Sequence, residues 1–111
     1  MLLSKPLNQG DIVSLKLLTS EEIIAKVITS TQDSITVTKP MLINIGMDEH
    51  TRQVGIQMVP YFLLCAKAEA ELVIKFSHII TYALANDNAR AGYIQNTTGL
   101  TVASGNSGLI V

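Results

Sequence analysis

The stretch LKLLTSEEIIAKVIT, residues 15–29, limits the fold more than any other part of the chain. Val13, Leu15 and Leu17 alternate with Ser14 and Lys16, the period-two pattern of a strand with one buried face. Thr19-Ser20-Glu21 then makes a turn. From Glu22 to Thr29 the chain is rich in β-branched residues and almost continuously apolar, which predicts a strand buried over much of both faces. Ala25 places a small residue mid-run, where such a strand can curve tightly over a core.

Further strands follow. Ser30-Thr31-Gln32-Asp33-Ser34 is a polar loop of turn-forming residues, and Ile35–Lys39 is a third strand. Pro40 interrupts it because proline cannot donate to a sheet ladder, and Met41–Ile45 resumes pairing on an edge. Gly46–Gln53 is the most polar window and predicts an exposed hairpin loop. Val54, Ile56 and Met58 alternate with Gly55 and Gln57, giving a return strand punctuated by Pro60. The segment YFLLCAKAEAELVIKF suits either a helix or a hairpin turning at Lys-Ala-Glu-Ala. The β-rich runs at both of its ends favour the hairpin. Ile79–Leu84 adds another short strand. Asn86 then caps a short helix through Asp87 to Gln95, with an acid in the first turn and Gly92 as its weak point.

Five or more short, closely spaced strands define a mainly β chain, a small barrel or sandwich. With 111 residues it forms one domain: an N-terminal arm over 1–9, the β-barrel over 10–85, and a short helix with a flexible tail over 86–111. Composition adds a constraint on assembly. Only 15% of residues are charged while 48% are apolar, and a chain this small buries only roughly two-thirds of its unfolded surface. Some apolar surface is therefore expected to face a partner, most simply a second copy. A five-stranded barrel also leaves open edges, and pairing them head to tail between subunits closes a ring.

Other classes are disfavoured. No apolar run approaches the ~20 residues of a membrane span, and MLLSKPLNQGD is too short for a signal peptide. The match of Asn96-Thr97-Thr98 to a glycosylation site then carries no meaning. The single cysteine, Cys65, sits in an apolar run and reads as a reduced, buried structural thiol of a cytoplasmic protein. Asp48-Glu49-His50 offers three ligand types, but no Cys or second His stands at metal-site spacing, so a solvated loop is expected and no metal or cofactor. No phosphate loop or nucleophile–base–acid arrangement can be assembled, which marks the chain as a non-enzyme. A net charge of −1 argues against nucleic-acid binding over the whole surface and leaves a local patch open.

LTSEEIIAKV resembles the first Sm motif, in which small residues mark the turn and the bend of a strongly curved second strand. Ser20 and Ala25 stand where Sm proteins usually carry glycines. The order of the TSEEIIAKV hairpin, the VTKP strand, Pro60-Tyr61, the SHII turn and the YIQNTTGL segment is similar to the Sm-like proteins of marine cyanophages. The resemblance spans roughly residues 10–100. It implies a strongly bent, five-stranded open barrel with hairpin extensions and a short C-terminal helix, assembled through edge strands into a homo-oligomeric ring of about five to seven subunits. It also implies a location in the cytoplasm, that of the host if phage-encoded.

The family holds RNA near the pore with the loop after the second strand and the turn before the last. By position these are Gln32, Asp33 and Ser34, and Ser77 and His78. Two departures stand out. Ile35-Thr36 replaces the Met-Asn of the usual Asp-x-x-Met-Asn pattern, and Ser77-His78 replaces the usual Arg-Gly. Single-stranded RNA is the expected partner, and the alternative is a structural or assembly ring binding phage or host protein, with Leu109-Ile110-Val111 as a docking end. Tyr61, Phe62, Phe76 and Tyr82 could stack on bases, but each lies in an apolar run and reads first as core or interface. Lys16, Lys26 and Lys75 fall at polar-phase strand positions, where ring symmetry would multiply their charge; otherwise they are solvated surface.

Overall fold

A computed structural model describes residues 7–61, 67 and 69–98. The chain is mainly β: strands β1 (Ile12–Leu17), β2 (Glu22–Ser30), β3 (Ser34–Met47), β4 (Val54–Pro60), β5 (Glu71–Lys75) and β6 (Ile79–Leu84), then helix α1 (Asp87–Thr98). All pairings are antiparallel, and the sheet runs β4-β3-β2-β1-β6, with β5 also pairing β3. The sheet has six strands rather than five and is not closed into a barrel. Pro40 does not end the third strand. β3 continues for 14 residues, pairing β5 through Ser34–Thr38 and β4 through Met41–Met47.

The β1–β2 hairpin forms as the local sequence predicts. Leu17 N–H donates to the Glu21 carbonyl at 2.8 Å and Ser20 N–H to the Leu17 carbonyl at 2.9 Å. Ser20 is left-handed, with φ 76°, so the position is one that favours glycine. Lys16 Nζ caps the same turn through the Ser20 carbonyl at 2.9 Å.

Two bulges bend the central strands. Ile24 pairs with Met41 and Lys26 with Thr38, so Lys39 and Pro40 together face Ala25. Lys39 adopts φ 51°, the left-handed geometry of a bulge residue. On β2 the extra residue is Ile28, between the Val27–Val37 and Thr29–Thr36 pairs. Ala25 is fully buried; the predicted bend lies here, and the distortion is carried by the strand opposite. Pro60 is accommodated because of ladder phase. Asp48 N–H bonds the Gln53 carbonyl and Tyr61 N–H the Pro40 carbonyl, so the position of Pro60 points its missing N–H away from β3.

The sheet buries both faces. On one, Val13, Leu15 and Leu17 pack with Ile23, Ala25, Val27, Ile35, Val37, Ile74 and Ile79, and Leu7 of the N-terminal arm joins them. On the other, α1 lies over Ile12, Ile24 and Met41 through Tyr93, with Ile43 and Met58 at the margin. The side-chain oxygen of Asn86 accepts from Ala89 N–H at 2.7 Å, the predicted N-cap. The helix runs to Thr98 rather than Gln95. The side chains of Asn96, Thr97 and Thr98 each bond the carbonyl four residues back, at 2.7, 2.8 and 2.7 Å.

The polar window makes the expected hairpin loop. The Asp48 carboxylate accepts from His50 N–H at 2.8 Å, so this acid organises its own turn. The strand expected at Leu72–Ile74 is β5, whereas Phe62, Cys65 and the tail with Leu109-Ile110-Val111 lie outside the described residues. Among the described residues no helix is long and apolar enough to cross a membrane, and no three His, Cys, Asp or Glu side chains converge as a metal site.

Candidate functional site

The two segments singled out for RNA contact meet at one end of the sheet. Phe76–His78 forms a single 3₁₀ turn joining β5 to β6. It is clipped at both ends. Phe76 N–H donates to the Asp33 carbonyl at 2.9 Å, and the His78 carbonyl accepts from Leu18 N–H at 2.9 Å. The turn is therefore held between the β2–β3 loop and the β1–β2 hairpin. It also links the strand on β3 to the strand on β1 through only three residues, which requires the sheet to curl.

The β2–β3 loop is shaped by Thr31, one of its turn-forming residues. Its N–H donates to the Ser34 carbonyl at 2.8 Å, and its hydroxyl accepts from Asp33 N–H at 3.2 Å and Ser34 N–H at 3.1 Å. Thr-x-Asp-Ser is a hydroxyl-led turn pattern, so this role was legible locally. Gln32, Asp33, Ser77 and His78 are exposed. Ser34 is different: it is half-buried, and its hydroxyl lies 3.2 Å from that of Thr31, so it serves the turn. Lys75 is exposed and sits in register with Ser34, bringing one cation to the same end.

The aromatic residues belong to the packing. The Phe76 and Tyr82 rings lie 6.1 Å apart, tilted by 37°, and both lean on the buried cluster along with Tyr61. The Tyr61 hydroxyl donates to Glu21 Oε1 at 2.9 Å. Burial and then that neighbouring carboxylate push the Tyr61 phenol above its ordinary range, because both disfavour the phenolate. The Glu21 carboxylate also accepts from the Thr19 hydroxyl at 3.0 Å, tying the hairpin turn to the end of β4.

What this end of the sheet offers is one amide, one carboxylate, one imidazole, one hydroxyl and one ammonium, all in water. Such a set can hydrogen-bond base edges and meet a phosphate. The chain matches no protein-family model and no curated protein sequence.

Proposed function

We propose that the chain is an Sm-like subunit that assembles head to tail into a homo-oligomeric ring and holds single-stranded RNA on the face carrying Gln32, Asp33, Ser77 and His78. The observation that carries this reading is the 3₁₀ turn clipped to Asp33, which unites the two segments on the same end of each subunit. The path β5-β3-β2-β1-β6 within the sheet supports it, since this part is a five-stranded unit bent by bulges. Assembly is supported by the two outer strands. Each pairs on one side only among the described residues, and they expose Val73 on β5 and Ile80 and Leu84 on β6. Joining β5 of one copy to β6 of the next satisfies the free backbone groups and covers those side chains.

In such a ring, the Asp33 carboxylate and Gln32 amide would read base edges, while His78 and Lys75 would meet phosphates. RNA is read in this way where single strands leave base edges open. The test is native mass spectrometry of protein purified without nuclease, followed by titration with a labelled single-stranded RNA across salt. A closed oligomer with nuclease-sensitive added mass is expected, with affinity that falls as salt rises. His78→Ala and Asp33→Ala should each weaken binding about tenfold, one good base or phosphate contact, without changing the oligomer. Affinity no better than that of an unrelated acidic protein overturns the RNA reading.

A second reading is favoured by charge, since Asp33 offsets Lys75 on this face and the chain carries −1 overall. It is a structural or assembly ring that binds protein, in a phage particle or its formation. A ring purified free of RNA that loses a protein partner on removal of Leu109-Ile110-Val111 would decide for it.

A further inference from the structure

β2 pairs with β3 only as far as Leu42. From Ile43 onward β3 pairs with β4 alone among the described strands, so the two strands project as a ribbon. A two-stranded ribbon in water is marginal without a packed face. The register shows which face needs packing. Ile43 pairs with Met58, Ile45 with Ile56 and Met47 with Val54, and residues directly opposite share a face. All six are apolar and form one stripe. α1 covers the Ile43–Met58 end, whereas Ile45 is 79% exposed and Ile56 66%.

Among the described residues the outer edge of β4 is also without a partner strand. The ladder phase set by the Asp48–Gln53 and Tyr61–Pro40 bonds points the N–H groups of Val54, Ile56 and Met58 away from β3. No described strand pairs with them. The strand Val-Gly-Ile-Gln-Met-Val has no charge, its pairing with β3 has no register shift, and its proline comes only at the end. The usual guards of an edge strand are therefore missing.

We infer that this ribbon is an interface with a second copy of the chain, β4 pairing antiparallel with β4 across a two-fold axis. The uncharged edge meets its own equal without like-charge repulsion, and the two apolar stripes merge into one. The contact is isologous, so it stops at two. A single ribbon is smaller than the ~800 Å² per partner of a standard interface. In a ring the same contact repeats with every subunit and gains by multivalency, so the inference in this form rests on the ring reading and pairs two rings face to face.

The experiment is native mass spectrometry of the full chain and of the double variant Ile45→Lys/Ile56→Lys, with hydrogen exchange on the wild type. Both substituted side chains are mostly exposed, and unchanged circular dichroism checks that the variant folds. The expected result is a wild-type assembly of twice the variant's mass, with slow exchange at the Ile56 and Met58 amides. Equal masses together with fast exchange at those amides overturn the inference and leave a single ring standing. A wild-type dimer that the variant turns into monomer supports the β4 contact and removes the ring. A monomeric wild type overturns both. A different protein bound to β4 and lost from the variant overturns the second copy as the occupant.

Discussion

The Tyr93 hydroxyl lies 2.8 Å from the Lys39 carbonyl oxygen, in the gap that the β3 bulge opens opposite Ala25. It is also 3.1 Å from the Thr38 carbonyl, so its one proton is shared between two carbonyls at the bulge. One helix side chain thus ties α1 to the bulge on β3. Tyr93→Phe keeps the ring and strips these part-buried bonds, at a cost of about 0.5–1.5 kcal/mol. A lower urea midpoint with native circular dichroism is expected; an unchanged midpoint would show that water replaces the hydroxyl.

The same residue sets an alkaline limit. Burial, offset in part by the Lys26 N–H, pushes the Tyr93 phenol up to about 12. The folded state therefore holds this proton more tightly than the unfolded chain, where the phenol titrates near ~10. Its contribution is fully present below about pH 10 and is lost as pH rises toward about 12. Tyr61 is shifted in the same direction. Urea midpoints across this window should fall in the wild type and fall less in Tyr93→Phe. Parallel slopes would contradict the assignment.

Ser20 occupies a left-handed position, with φ 76°, that costs a non-glycine residue roughly 1–2 kcal/mol. Ser20→Gly should raise stability by about 1 kcal/mol after the greater unfolded-state freedom of glycine is deducted. Thermal unfolding reads this directly, and a loss of stability would mean that the serine side chain contributes more than its backbone costs.

Gly92 sits inside α1, and a methyl group there would meet only Met58 Cε, at 3.6 Å. That is ordinary contact. Gly92→Ala should therefore stabilise the chain by up to about 1 kcal/mol. Destabilisation would reveal that the helix packs more closely on Met58 than this spacing allows.

Val73 is 62% exposed on the free side of the sheet at β5. Val73→Glu should leave the fold within about 0.5 kcal/mol, as exposed substitutions do. If β5 joins β6 of a neighbour, it should also reduce the assembled mass in native mass spectrometry. An assembly unchanged by this variant would exclude Val73 from the subunit contact.

Several elements were legible because their causes are local. The alternation of Val13, Leu15 and Leu17, the Asn86 cap and the Asp48 loop depend on residues a few positions apart. The same is true of Gln32, Asp33, Ser77 and His78 as turn residues, although Ser34 proved to be part of the turn itself. The meeting of Asp33 with Phe76 was not readable from periodicity or spacing alone. It joins positions 43 residues apart, and the Sm resemblance implied only that both segments lie near one pore.

By itself the sequence determined the mainly β character, the β1–β2 hairpin and the capped helix, through side-chain alternation, turn chemistry and hydrogen bonds within one turn. Only the tertiary structure decided that β3 passes through Pro40 instead of stopping there. That outcome needs Ala25 opposite the bulge and Tyr93 in the gap. It likewise decided that Ile45 and Ile56 stand bare while Ile43 is covered, since their exposure depends on where α1 ends against the sheet. Register and coverage are relations between distant segments, and a pattern along one strand carries no record of its neighbours.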